Sequence, residues 1–220
     1  MKSSLVIIGA GGHGRVVADI AKKCGTYTEI LFLDDSDNLT FPVAGKVSSF
    51  VNYVSDCDFV VAIGNNSVRR KITDALKKHN ADIATLVHPA AVLGENVKLG
   101  AGTVVMAGCV INNGAYIGEG TIVNTCSSVD HDCIVGDFCH ISVGAHVAGT
   151  VTIGNSTFVG AGATIINNLE ICDDCMIAAG AVVIKSIVES GLWAGVPSVR
   201  KNRNKDWMMK IEDTSSCEDK

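Results

Sequence analysis

The chain has 220 residues, with 18 Lys and Arg against 23 Asp and Glu and a formal net charge of −5. That balance argues against a nucleic-acid surface, and no apolar run approaches the ~20 residues needed to cross a bilayer. Residues 5–10 are apolar, but glycine-rich chemistry follows instead of a signal-cleavage pattern, so a cytoplasmic protein of one large or two modest domains is expected.

Residues 4–9 read as a buried strand running into Gly9-Ala10-Gly11-Gly12-His13-Gly14. A helix over residues 15–23 stops near Gly25. Residues 29–33 form a second strand ending in Asp34-Asp35, and residues 59–63 a third ending in Gly64-Asn65-Asn66. A helix over residues 67–79 and a short strand over 83–87 complete a first domain, residues 1–87. Strands alternating with helices in this way predict a parallel sheet.

Gly9, Gly11 and Gly14 satisfy G-x-G-x-x-G after a strand, and Asp34 follows at the separation expected of a ribose-binding acid. Such a loop lets backbone N–H groups and a helix N-terminus approach phosphate. Only about 85 residues precede the next domain, enough for one mononucleotide half and not for the two that NAD requires. A nucleotide-sugar fits better, with base and ribose near Asp34 and Asp35 and pyrophosphate over Gly11, Gly12 and His13. The competing reading is that these glycines only tighten a strand-to-helix turn.

From Val92 to Ile187 the chain runs through sixteen hexads in one register. Anchors at Leu93, Leu99, Val105, Ile111 and every sixth residue to Val183 are all Leu, Ile or Val. Four residues after each anchor the side chain is mostly small, as at Thr103, Cys109, Ala115 and Thr121. A period this short means stacked flat β faces, each too narrow to bury its own apolar side, and a step of six smears the anchors around a helix of 3.6 residues per turn. Three hexads close a triangular coil, giving about five coils and a prism about 25 Å tall at ~4.8 Å per strand. The pattern resembles the hexapeptide-repeat acyltransferases. That resemblance implies a left-handed parallel β-helix over residues 88–200, assembly into trimers, and acyl-CoA sites between subunits.

The nine cysteines do not read as a framework. Cys109, Cys133, Cys139 and Cys175 fall on the small inward position, where Cys acts as a compact apolar residue. Cys172 and Cys175 match C-x-x-C, yet no second pair stands at zinc-site spacing, so no metal is expected.

Among the six histidines, His79 closes a polar helix end and His88 caps the first coil. His146 reads as a core residue. His131, in Val129-Asp130-His131-Asp132-Cys133, stands near a corner between acids and suits a general base. His140 follows nine residues later, half a coil away and on the other side of the prism. The two can share a site only if two prisms stand side by side.

The glycine loop, Leu33-Asp34-Asp35, Ala62-Ile63-Gly64-Asn65-Asn66, Val123-Asn124-Thr125, Val129 to Cys133, Val143-Gly144-Ala145 and Ala148-Gly149 together resemble the sialic-acid O-acyltransferase-like family. Its best-matching branch acetylates a 4-amino group on a UDP-linked dideoxysugar. The resemblance implies His131 as general base, Asp132 as the acid that raises its basicity, and Gly149 as oxyanion donor. It also implies Asn124 as a sugar contact, and His140 with the backbone of Ala161 and Ala179 as acetyl-CoA contacts. Gly11, Gly12, His13, Asp34, Asp35 and Gly64 would hold the nucleotide-sugar. Gly11 stands where related loops often carry Ser, and Asp132 where some carry Glu. The segment from Gly191 to Arg200 resembles the closure of a last coil, and the basic run Arg200, Lys201, Arg203 and Lys205 could meet CoA phosphates. Residues 212–220 are expected to be disordered.

The expected function is an acetyl-CoA-dependent N-acetyltransferase on a UDP-linked amino sugar, acting as a homotrimer without metal, nucleic-acid or membrane partners. Within the family the rivals are a GDP-perosamine N-acetyltransferase and a sialic-acid O-acetyltransferase. Outside it stand a metal-dependent hydratase on the same prism and a non-catalytic nucleotide-sugar sensor.

Overall fold

The computed structural model describes residues 2–37, 39 and 41–201. Its N-terminal half is a parallel sheet of β1 (Ser4–Ile8), β2 (Glu29–Leu33), β3 (Cys57–Val61) and β4 (Asp82–Ile83) in the order β2-β1-β3-β4. Helix α1 (Gly12–Cys24) and helix α2 (Asn66–Lys78) cover it. Strand alternation divides β1 between the two faces. Leu5 and Ile7 pack with Val17, Ile20 and Phe32, whereas Val6 and Ile8 pack with Phe50, Phe59 and Leu76. Burial on both faces explains the unbroken apolar run in the sequence.

The turn between β1 and α1 needs its glycines for two different reasons. Gly9 has φ +105° and a side chain there would lie 2.8 Å from the Ala62 carbonyl, while a Cβ on Gly14 would strike the Gly9 carbonyl. Around Gly11 and Gly12 a Cβ would meet nothing within 4 Å. Gly9 and Gly14 therefore serve the turn, and Gly11 and Gly12 leave an open approach. Helix α1 ends on Gly25 in the left-handed region. Helix α2 starts where the Asn65 side chain accepts from the Val68 N–H at 3.1 Å.

The expected strand over residues 83–87 is two elements. Asp82–Ile83 stays in the parallel sheet, whereas Leu86–Val87 pairs with Val104–Val105 in the second half. Val87 stands six residues before Leu93 and so already obeys the repeat register. The solenoid consequently starts earlier than the expected hexads, closes later, and makes about six turns instead of five.

Its three faces follow from pairing each strand with the one 18 residues on, as in Tyr116 with Ile134 and Ser128 with His146, until the last coil, where Cys175 pairs with Gly191. Face 1 runs from Leu86–Val87 through Ile122–Val123, His140–Ile141 and Cys175–Ile177 to Gly191–Ala194, where antiparallel Val199–Lys201 closes it. Face 2 holds Val92–Leu93 through Ser128–Val129 and His146–Val147 to Val182–Val183. Face 3 holds Lys98–Leu99 through Ile134–Val135 to Glu170–Ile171.

The anchors from Val105 to Val183 are buried, as are Cys109, Cys133, Cys139 and Cys175. Inward hydroxyls are satisfied by the adjoining coil, Thr103 donating to Gly118 O at 2.9 Å and Thr121 to Gly136 O at 2.9 Å. At the base Leu93 remains 37% exposed and Leu99 half-buried, because few coils lie beneath them.

The two halves share one core. Helix α1 lies against Leu86–Val87, with the Cys24 thiol donating to Val87 O at 3.1 Å. Helix α2 follows the corner that joins faces 3 and 1. No helix among the described residues is long and apolar enough to cross a membrane.

Candidate active site

His131 and Asp132 form the corner between faces 2 and 3. Asp132 adopts the left-handed conformation at φ 56°, as every coil needs at its corners. Its carboxylate Oδ2 accepts from His131 Nδ1 at 2.9 Å, with both side chains more than half exposed. Asp130 accepts the His131 backbone N–H at 2.7 Å and is itself held by Asn112 Nδ2 at 2.7 Å. That Asn112 bond, followed by the His131 N–H, lowers the Asp130 pKa. The Asp132 bond raises the His131 pKa above its ordinary 6.5.

Glycines on the neighbouring coils make room for the pair. A Cβ on Gly149 would lie 2.5 Å from His131 Nε2, and one on Gly114 would lie 2.9 Å from Asp132 Oδ1. The Gly149 N–H donates to no group among the described residues. Histidine, acid and free backbone donor thus share one edge: Asp132 holds the proton on Nδ1 and leaves Nε2 to accept one.

His140 has a different setting. It is 8% exposed, beneath the chain's own N-terminal half. Asn124 Nδ2 lies 3.0 Å from His140 Nε2, and Phe158 packs edge-on with ring centroids 5.1 Å apart. Burial first, then the charges of Arg69 and His13, lower the His140 pKa to about 3. Burial and Arg69 lower His13 to about 4. Two buried ring nitrogens, His13 Nε2 and His140 Nδ1, complete no well-formed hydrogen bond among the described residues, although the Gly64 backbone faces the His140 ring. Asn124, expected at the sugar, spends its amide on His140 and on the Thr125 N–H at 2.8 Å.

The residues expected to hold a nucleotide gather at the end of the parallel sheet. Asp34 accepts from Ala10 N at 2.7 Å through one oxygen and from Ser36 N at 2.8 Å through the other, so it shapes the loop that carries Gly11 and Gly12. Asp35 is exposed and accepts from Val47 N at 2.8 Å. Gly64, like Gly11 and Gly12, is open, with nothing within 4 Å of a built Cβ.

Ala161 and Ala179 stack at the corner between faces 1 and 2, a different edge from that of His131. One prism therefore separates the expected base from these expected acetyl-CoA contacts. His146 is no core residue. Val147 takes the inward place, and His146 faces out from face 2 with Nδ1 2.9 Å from Ser128 Oγ. His88 does cap its turn, accepting from Ala90 N at 2.9 Å. Arg200 pairs with Glu189 at 2.9 Å. Arg203, Lys205 and residues 212–220 lie outside the described residues. Among the described residues no three His, Cys, Asp or Glu gather as a metal cradle.

Sequence reasoning missed Gly114, Asp130 and Arg69. Gly114 and Asp130 had a legible signal, being one coil from the pair and adjacent to it. Arg69 had none: it stands beside Arg70 in an ordinary helix.

A half-sized nucleotide fold followed by a left-handed hexapeptide β-helix with a His–Asp corner defines a hexapeptide-repeat acyltransferase architecture. Residues 4–76 match the PglD N-terminal domain, and residues 90–125 and 150–185 match the bacterial transferase hexapeptide (six repeats). The chain is 33% identical over 113 residues to the UDP-N-acetylbacillosamine N-acetyltransferase of Bacillus subtilis (strain 168), a match covering 47% of this chain and 51% of that protein. The chain thus spans about half the length of the curated relatives it matches. The acetyltransferase domain of PglB from Neisseria gonorrhoeae FA1090, solved with acetyl coenzyme A, superposes with a TM-score of 0.86 at 39% identity, covering 91% of this chain and 100% of that one. PerB from Caulobacter crescentus, solved with CoA and GDP-perosamine, gives a TM-score of 0.86 at 36% identity, covering 90% and 97%. The chain belongs to the hexapeptide-repeat acyltransferases with a PglD-type N-terminal domain.

Proposed function

We propose that the protein transfers an acetyl group from acetyl-CoA to the 4-amino group of a UDP-linked 4-amino-4,6-dideoxy-N-acetylhexosamine, acting as a homotrimer. The observation that carries this reading is the corner itself. His131 is a base with Nδ1 pinned by Asp132 and Nε2 turned toward a glycine whose backbone N–H is free.

The neutral amine attacks the thioester carbon, and His131 Nε2 takes its proton as the tetrahedral intermediate forms. The Gly149 N–H donates to the oxyanion, and collapse expels the CoA thiolate. Among the described residues no Ser or Cys thiol stands beside His131 as a nucleophile; Cys133 is buried, and that burial raises its thiol pKa, so the amine attacks directly. Gly11, Gly12, His13, Asp35 and Gly64 receive the nucleotide, with Asp34 acting through the loop.

The trimer is supported by where the residues fall. Face 1 is covered by the N-terminal half at Val104, Ile122 and His140. Face 3 carries Lys98 and Glu170 at its ends. On face 2 the outward strand positions Val92, Val110, Ser128, His146, Thr164 and Val182 carry no carboxylate, Lys or Arg, and Asp130 stands at the end of the face beside His131. Turning face 2 toward a threefold axis places the His131 corner of one subunit beside the Ala161 and Ala179 corner of the next.

A second reading, GDP-perosamine as acceptor, is favoured by the likeness to PerB. Thiol release from acetyl-CoA, measured with UDP-, GDP- and CMP-linked amino sugars, tests both. Turnover with the UDP sugar at a kcat/KM at least tenfold above the GDP sugar supports the first reading. The reverse preference establishes the second, and turnover with none removes both.

A further inference from the structure

Arg69 is 1% exposed and meets no carboxylate among the described residues. Its guanidinium is satisfied entirely by neutral oxygens, in two sets. From its own half it takes Ile63 O at 2.8 Å, Gly64 O at 3.1 Å and Asn66 Oδ1 at 2.8 Å. From the prism it takes Gly120 O at 2.6 Å, Phe138 O at 3.1 Å and Cys139 O at 2.9 Å. Gly120 and Phe138 are corresponding corner positions of successive coils, and Asn66 Nδ2 reaches the corner above them, donating to Ser156 O at 3.0 Å.

The planar fork of an arginine can serve two such sets at once; a lysine, with one ammonium, cannot. His140 follows Cys139 directly, and Gly64 sits at the loop that faces the nucleotide. The Thr125 N–H fixes the Asn124 amide, so its Nδ2 donates to His140 Nε2 and the ring proton stands on Nδ1. Nδ1 is then a buried donor that faces the Gly64 backbone but completes no well-formed hydrogen bond among the described residues, as is the case for a ring nitrogen of nearby His13.

We propose that Arg69 is a positioning residue of the transfer reaction: it fastens the nucleotide-binding half to the prism at Gly120, Phe138 and Cys139, and so holds the glycine loop and His140 in fixed register. Its catalytic consequence rests on the acetyltransferase reading; the fastening does not. Burial first, and the same cation second, keep both histidine rings neutral. The groups facing His140 are Arg69 from α2, His13 from the first turn of α1, the Gly64 backbone, and Asn124 and Phe158 from face 1. Of these only Arg69 is charged at neutral pH.

The experiment compares the full chain with Arg69→Met and Arg69→Lys. Histidine ring signals are followed by NMR across pH, beside steady-state kinetics and calorimetry with UDP. In the wild type, His13 and His140 remain neutral to about pH 5. In Arg69→Met both protonate at higher pH, because a neighbouring positive charge is gone. Its kcat falls at least tenfold while UDP affinity and the KM for acetyl-CoA stay within threefold, since each half keeps its own ligand residues. Arg69→Lys does not restore kcat. A folded Arg69→Met with wild-type kcat, or an Arg69→Lys that turns over normally, overturns the proposal. Should both variants fail to fold, Asn66→Ala carries the test: it loosens the same contact, kcat drops severalfold at unchanged UDP affinity, and an unchanged kcat refutes the role. A wild type that acetylates no amino sugar defeats the functional reading, while the histidine titration still reports on the fastening.

Discussion

Asp132 takes a corner conformation that costs a non-glycine residue roughly 1–2 kcal/mol, least for Asp and Asn. Glycine fills the same corner one coil below, at Gly114. What Asp132 returns is a carboxylate held 2.9 Å from His131 Nδ1. Asparagine keeps the turn and an acceptor oxygen but removes the charge. In Asp132→Asn the His131 pKa falls, so the acid limb of the kcat/KM profile moves to lower pH. The plateau rate drops because the base is weaker. An unmoved acid limb would show that another group governs it. His131→Ala removes the proposed base outright and is expected to lower kcat by roughly 10²–10⁴, with acetyl-CoA binding and the fold intact by calorimetry and circular dichroism. Near-normal turnover would sink the assignment. Gly149→Ala leaves every titrating group in place, yet its methyl would stand 2.5 Å from His131 Nε2. The imidazole must swing away, and kcat falls at least tenfold with little change in melting temperature.

At the scale of elements the chain combines a turn open to a ligand with coils that have no spare room. Gly12→Val meets nothing within 4 Å at its Cβ, so the fold accepts it; its branches occupy the approach to the α1 N-terminus. KM for the nucleotide-sugar rises while acetyl-CoA affinity is unchanged. Tight NAD binding by the wild type, with no response to a UDP-sugar, would contradict the half-fold argument. Inside the prism the opposite holds. Ala145 is fully buried at a small position, and Ala145→Leu overpacks it at a cost of about 1–3 kcal/mol, measured by denaturant unfolding. A neutral result would mean the coils separate more easily than their shared register implies.

For the whole molecule, the question is whether one chain suffices. The His131 edge and the Ala161–Ala179 edge border opposite sides of face 2, and His140 belongs to face 1. Under the proposed trimeric assembly, inactive His131→Ala chains mixed with His140→Ala chains should regenerate wild-type sites in trimers that contain both. Subunit exchange is confirmed first by mass spectrometry. No recovery in demonstrably mixed trimers would mean that both histidines act within one chain, or that His140 lies outside the site.

The repeat was legible because its physics is local and periodic. A coil of three hexads buries one anchor per face, so Leu, Ile and Val every sixth residue, with Thr, Cys or Ala four later, dictate the prism and its inward cysteines. The glycine loop and the His131–Asp132 corner were legible for a related reason: each is a short stretch whose chemistry sits in adjacent residues. The register also carried one strand further than expected, at Leu86–Val87, where an apolar pair was equally compatible with the preceding sheet. Tertiary structure alone decided how the two halves meet. Arg69 is bonded to Phe138 and Cys139 across separations of 69 and 70 residues, and no local pattern distinguishes it from Arg70. The same packing buried His140 and committed Asn124 to it. His146 went the other way: Val147 filled the interior, leaving the histidine on the open face. Which ring is buried depends on what covers a face, and that is a contact between distant segments that periodicity does not encode.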